Sequence, residues 1–329
     1  MTSSTKFGIA SRCVIAITLL SICFSTTLQS VHSQVSNTLP MFVEWSPDGS
    51  MIAVGGKDSY CNVESGNFNS DALRILDVDT RQLLYSIPDI TCDILAMAWS
   101  PDSTQIIFGA SGNDGVRIWD VVNQIYHPDF FYPGTVQNIS WQPSGSLVVV
   151  GDGKGDISIV DTVTGSITQQ FPGAGTSTYS AWNPEGSLLA LTVFPYDLVI
   201  LDIASFTELA RMEVEQGTVS YLDWSKSGDV ISAYSKQLEI INGSSFAPII
   251  SIMPENILPD FALSPNGVQI AGVGPLDGIH IWDTHTGELI TTTDQEGIYG
   301  LDWSPDGSQL AYVPSPDLQE IISFLDINP

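Results

Sequence analysis

The apolar residues of this chain come in short runs, not at helical spacing. Phe42-Val43-Glu44-Trp45 is one such run, and Met51-Ile52-Ala53-Val54 is the next. Between them lies the polar phrase Ser46-Pro47-Asp48-Gly49. Proline fixes φ and the Asp-Gly pair turns the chain, so two β-rich runs joined by this phrase predict a hairpin. A variable loop follows, then a third run ending in an acid or amide: Ile75-Leu76-Asp77, Ile118-Trp119-Asp120, Ile159-Val160-Asp161, Ile200-Leu201-Asp202, Ile240-Ile241-Asn242, Ile281-Trp282-Asp283 and Phe324-Leu325-Asp326. A turn and a fourth short run, as in Glu288-Leu289-Ile290, close the unit.

The unit repeats. Its markers are Trp45, Trp99, Trp141, Trp182, Trp224, Leu263 and Trp303, at steps of 54, 42, 41, 42, 39 and 40 residues. Seven units of four antiparallel strands predict an all-β fold, a seven-bladed β-propeller of four-stranded blades. The blades are expected to start near 41, 95, 137, 178, 219, 259 and 298, within a single domain spanning 34–329. The seven markers are expected to form the blade core, each packing on a neighbouring blade. The pattern predicts the same cost for truncating Trp141 and Trp224.

These motifs resemble the WD-repeat family. Ile118-Trp119-Asp120 and Ile281-Trp282-Asp283 carry the Trp-Asp pair that names it. The resemblance runs from about Met41 to Ile327 and implies the propeller fold. The Gly-His pair that usually precedes the first strand of eukaryotic repeats is missing from every unit. The chain is therefore similar to the looser bacterial type, with some similarity to TolB-like propellers.

Residues 1–33 read as a signal peptide. Lys6 and Arg12 form a basic start, Cys13 to Phe24 an apolar core too short to span a bilayer, and Val31-His32-Ser33 a cleavage site. The protein is thus expected to be exported: periplasmic, extracellular or at the cell surface. The last repeat ends right after its third run, so its fourth strand must come from the N-terminus. Cleavage near Ser25 would free Leu28 to Val35 for that place. Cleavage at Ser33 would leave Gln34 to Leu39 as a stunted strand, the preferred alternative.

Charge narrows the partners. The chain has 37 acids against ten Lys and Arg, two of which fall in the leader. Such a surface repels phosphates, so nucleic acid is not an expected partner. Membrane insertion of the mature chain is not expected either, and the protein is expected to be a monomer. Cys61 lies in the longest insertion, between the second and third strands of the first blade. Cys92 lies on the link to the next blade. In a propeller both connections emerge on one face, and an exported pair there reads as a disulfide worth about 3 kcal/mol, with two free thiols as the alternative.

The same face gathers Tyr60, Glu64, Phe68, His127, Phe130, Phe131, Tyr132 and Tyr196, a candidate binding patch. Packing of Phe130 and Phe131 beneath the loop is the competing reading. No catalytic triad, phosphate loop, Cys/His cluster or cofactor motif is present in the sequence, so no catalytic, metal or cofactor residues are assigned. Gly151-Asp152-Gly153-Lys154-Gly155-Asp156 falls at a hairpin turn and reads as one. Glu44, Asp223 and Asp302 each precede a marker Trp on an innermost strand. Contacts between blades or with solvent are expected of them, against a channel cation site. The leading function is a non-enzymatic module binding a protein or peptide. The alternatives are a hydrolase or lyase with a metal-assisted site at the channel mouth, using acids such as Glu44 and Asp302, and a TolB-like periplasmic accessory protein.

Overall fold

The computed structural model describes residues 38–58, 72–90, 93–111, 115–128, 130, 132–171, 179–193, 197–213, 219–256, 258, 260–274, 277–294, 296–314 and 321–327. These residues form seven antiparallel sheets with no helix. The innermost strands are β1 (Thr38–Trp45), β5 (Ile94–Trp99), β9 (Val136–Trp141), β13 (Ser180–Trp182), β17 (Tyr221–Trp224), β21 (Asp260–Leu263) and β25 (Leu301–Trp303). Each packs beside the inner strands of its two neighbours, and β1 lies against β25, so the ring closes. This is the seven-bladed propeller the repeats predict.

Local chemistry sets the hairpins. In the first blade Ser46 Oγ donates to Asp48 Oδ1 at 2.7 Å and accepts from Met51 N at 2.9 Å. Asp48 Oδ1 also accepts from Ser50 N at 3.0 Å. The last copy repeats this with Ser304, Asp306, Ser308 and Gln309 at 2.6, 3.0 and 2.9 Å. The chain reverses at Gly49 and Gly307, with φ of 74° and 73°, a region that costs glycine nothing. Ser103 fills the same place at φ 60°. In the first six blades the Asp or Asn ending the third strand starts a second Asx turn: Asp202 Oδ1 accepts from Ser205 N at 2.8 Å, and Asp283 Oδ1 from Thr286 N at 2.7 Å.

The core is a series of layers between blades. Ile106, Ile107 and Phe108 on the second strand of blade 2 are fully buried, as are their counterparts Val148, Val149 and Val150 in blade 3. An unbroken apolar run of this kind fits a strand covered on both faces. Six of the seven markers are buried, but Trp141 is only half-buried.

Blade 7 shows three strands among the described residues: β25, β26 (Gln309–Tyr312) and β27 (Ser323–Asp326). The sequence reading that gave Gln34 to Leu39 to a fourth strand here needs correction at its end. Thr38 and Leu39 pair with Asp58 and Lys57, extending the inner strand of blade 1 past a bulge at Pro40/Phe42. Residues 28–35, the other option, lie outside the described residues. The first and last blades meet through rings: Trp45 packs edge-on to Phe324 at 5.8 Å, and the Arg81 guanidinium sits 4.6 Å over the same ring.

Candidate functional site

The propeller has two unlike faces. Every link from first to second strand contains five residues, from Ser46–Ser50 through Ser304–Ser308. Links from third to fourth strand contain four or five. These turns share one face and are stitched by their own Ser, Asn and Asp side chains. The opposite face carries the other connections. There the second-to-third-strand links run from two residues, 275–276, to fourteen, 59–72.

Of the candidate patch, His127, Phe130 and Tyr132 lie among the described residues, on a connection of this variable face. Tyr60, Glu64, Phe68, Phe131 and Tyr196 fall outside the described residues, as do Cys61 and Cys92 with their expected disulfide. Phe130 is 4% exposed and packs with Ile118, Val136, Ile139 and Val148 between blades 2 and 3. Tyr132 bridges to Val116, and its hydroxyl lies 2.9 Å from Ser158 Oγ. Of the two readings of this loop, Phe130 follows the packed one, buried between blades 2 and 3, while Tyr132 is half-buried at the edge of the same cluster and is not part of a fully exposed platform. His127 is half-buried, and its N–H donates to Ile118 O at 2.9 Å.

The inner strands carry a second constellation. The indole N–H of Trp99 donates to Glu44 O at 3.2 Å, Trp182 to Ser140 O at 3.1 Å and Trp303 to Ala262 O at 2.9 Å. Each bond reaches the preceding blade, at the residue just before its own marker. Trp141 and Trp224 instead donate to their own turns, at Gly145 O (3.3 Å) and Gly228 O (3.2 Å).

Carboxylates reach the other way, to the following blade. Asp302 accepts from Trp45 N at 2.8 Å, and Asp260 from Leu301 N at 3.2 Å. Asp223 accepts from the Leu263 backbone, and Glu44 from the Trp99 backbone. The three aspartates also accept from the residue that follows them: Trp224 N at 2.7 Å, Phe261 N at 3.0 Å, and Trp303 N. On an inner strand every second N–H points away from the sheet, where no ladder partner exists. These acids supply the missing acceptor.

Burial acts on all four. Solvent touches part of each side chain, yet protein surrounds it. Burial pushes Asp223 up to about 6, and Asp260 and Asp302 up to about 7. Glu44 is raised well above the usual carboxylate range, by burial and then by the Asp302 charge. The Lys226 ammonium opposes the rise at Glu44, Asp223 and Asp302. Tyr221, which donates to Asp223 Oδ2 at 3.2 Å, and Tyr179 are raised too, first by burial.

Sequence reasoning found Glu44, Asp223 and Asp302 but missed Asp260. The signal was there: strand positions one and three before the marker share a face, and Asp260 stands three before Leu263. The described carboxylates form backbone clasps between blades. Among the described residues no group of three or more His, Cys, Asp and Glu is placed to hold a metal ion.

Comparison with known proteins agrees with this architecture. Residues 41–200 match the family model described as "Eukaryotic translation initiation factor eIF2A". A 97-residue stretch, 29% of the chain, is 31% identical to "WD repeat-containing protein WDS homolog" of Arabidopsis thaliana and spans 15% of that protein's length. Among solved structures, the Cps50 (Swd1) beta-propeller domain of Myceliophteria thermophila aligns with a TM-score of 0.72 at 15% identity, covering 89% of this chain and 100% of that one. Hydrazine synthase from Kuenenia stuttgartiensis aligns at 0.73 and 13% identity, covering 91% of this chain and 99% of that one. At these identities the structural likeness shows the fold alone. With the recurring Trp phrase, the Trp-Asp strand ends and the closed ring of seven sheets, the chain has the seven-bladed β-propeller fold and is similar to WD-repeat propellers.

Proposed function

We propose that this propeller is an exported, non-enzymatic interaction module that presents its variable face to a protein or peptide. WD-repeat propellers serve as platforms for protein partners, and this chain has their architecture. The observation that carries the choice of face is the contrast in links. One face is built from turns of nearly constant length whose polar groups are satisfied internally. The other is free to vary on a rigid frame, which is where binding residues concentrate in scaffold folds. The two acids that a metal-assisted hydrolase would recruit, Glu44 and Asp302, hold backbone N–H groups of the next blade.

The test is affinity capture with the wild type and with a Tyr60→Ala, Glu64→Ala, Phe68→Ala triple variant. The reading expects lost partners with an unchanged melting temperature. An unchanged partner set would count against this face. Phe130 and Tyr132 are unsuitable for that test, since their truncation would open the layer between blades. Export is tested by N-terminal sequencing of the secreted protein: a start at Gln34 is expected, and a chain still carrying residues 1–33 would oppose it.

A further inference from the structure

Four carboxylates occupy four consecutive junctions of the ring, from blade 5 through 6 and 7 to blade 1 and on to blade 2. Each accepts a backbone N–H from the inner strand of the next blade. They also sense one another: Glu44 feels Asp302 and Asp223, Asp302 feels Asp223, and Asp260 feels Asp302. The other inner strands are neutral at these places. Ala98, Ser140 and Ala181 precede the markers of blades 2 to 4, and the junction of blades 3 and 4 is a Ser180 Oγ to Asn138 Oδ1 bond of 2.5 Å. One Glu44 oxygen, Oε2, is enclosed with no hydrogen-bond partner, a place suited to a proton.

We propose that Glu44, Asp223, Asp260 and Asp302 form a proton-loaded seam, which holds the closing half of the ring most tightly when the four retain protons and loosens as they ionise together. A protonated carboxyl still offers its carbonyl oxygen to the N–H of the next blade, at the expense of the second bond, to the residue that follows it, and the mutual repulsion disappears. The titratable groups facing the seam are Lys226, Tyr221 and Tyr179. Among the described residues Lys226 is the ammonium that acts on the carboxylates, and one such charge is too few to compensate full ionisation.

The direction follows from linkage. In the unfolded chain these aspartates ionise near 3.8, whereas in the ring they hold protons to about 6 and 7. Between about pH 4 and 7 the folded state therefore binds more protons, and stability falls as pH rises through that window. Each retained proton changes the unfolding equilibrium about tenfold per pH unit. The steps belong to the coupled group and not to single residues.

The test is urea unfolding of the full-length protein from pH 5 to 7.5. The unfolding constant is expected to rise about tenfold or more per pH unit. Asp302→Asn should make that slope about tenfold per unit shallower, and so should Glu44→Gln, whose amide fills a site with a spare oxygen. Asp306→Asn, at a surface turn, should leave the slope unchanged. Should the seam variants fail to fold, proton release by the wild type on unfolding at pH 6 gives the same answer. Stability that is flat or rises across the window, an unaltered slope in both folded variants, or no proton release would overturn the proposal.

Discussion

Truncating Trp303 to alanine should cost far more than truncating Trp141, although both occupy the same place in the repeat. Trp303 is 3% exposed, packs among Ala271, Ile281 and Leu310, and donates a buried 2.9 Å bond to Ala262 O. Removing a core Trp costs about 3–5 kcal/mol. The orphaned Ala262 carbonyl accounts for about 1–3 kcal/mol within that figure. Trp141 is half-buried, and its exposed 3.3 Å bond goes to its own turn at Gly145. Water can replace that bond, so a loss of about 1–2 kcal/mol is expected, near half the burial and no orphan. At about 2–4 °C per kcal/mol, Trp303→Ala should melt roughly 6–20 °C below the wild type. Trp303→Phe, which keeps the ring but not the donor, should lose about 1–2 kcal/mol. Urea titration followed by circular dichroism and tryptophan fluorescence measures each loss. Equal losses at Trp303 and Trp141, or a loss under about 1 kcal/mol at Trp303, would refute the idea that indole bonds to the preceding blade hold the ring.

Gly243→Ala should destabilise by about 1–3 kcal/mol, because its new Cβ would sit 2.1 Å from Gly228 O. Gly153→Ala, with nothing nearer than Gln137 Nε2 at 3.6 Å, should change stability by under about 0.5 kcal/mol in the same urea assay. Asp306→Ala should cost about 1–2 kcal/mol by losing its bonds to Ser304 and Ser308, and Asp306→Asn should cost less, as equilibrium unfolding will show. A melting profile against pH should be dome-shaped, highest at about pH 4–5. Hydroxyl and N–H donors hold the turn acids Asp77, Asp102, Asp161, Asp202, Asp283 and Asp306 below their ordinary value, so their contribution is present above it and lost as pH falls through the folded value. The buried four weaken the protein on the alkaline side. A maximum above pH 7.5 would contradict this balance.

Blade number and hairpin chemistry were legible in the sequence because both are local. Five consecutive residues such as Trp45 to Gly49 contain a strand end, a φ restraint and a turn, and repetition marks the period. What lay across blade junctions was harder to read. Trp141 carries the same phrase as Trp303, yet its indole turns back on its own hairpin, a choice set by the neighbouring sheet. Phe130 and Tyr132 read as a loop platform because the apolar gap that takes them is formed by residues on two blades. Asp260 escaped notice because it stands three residues before an atypical marker, Leu263. Its role becomes visible only with Leu301 of the next blade beside it.

The central claim is that side chains close the inner edge of each blade onto its neighbour. Amide hydrogen exchange at Trp45 tests it most directly, since this N–H faces away from its own sheet and has only Asp302 of the last blade to accept it. The account predicts protection close to that of Ser46, whose N–H bonds within the blade to Met51 O, and selective loss of protection at Trp45 in Asp302→Ala. Exchange at Trp45 as fast as at the exposed turn residue Lys226, or protection indifferent to that substitution, would contradict it.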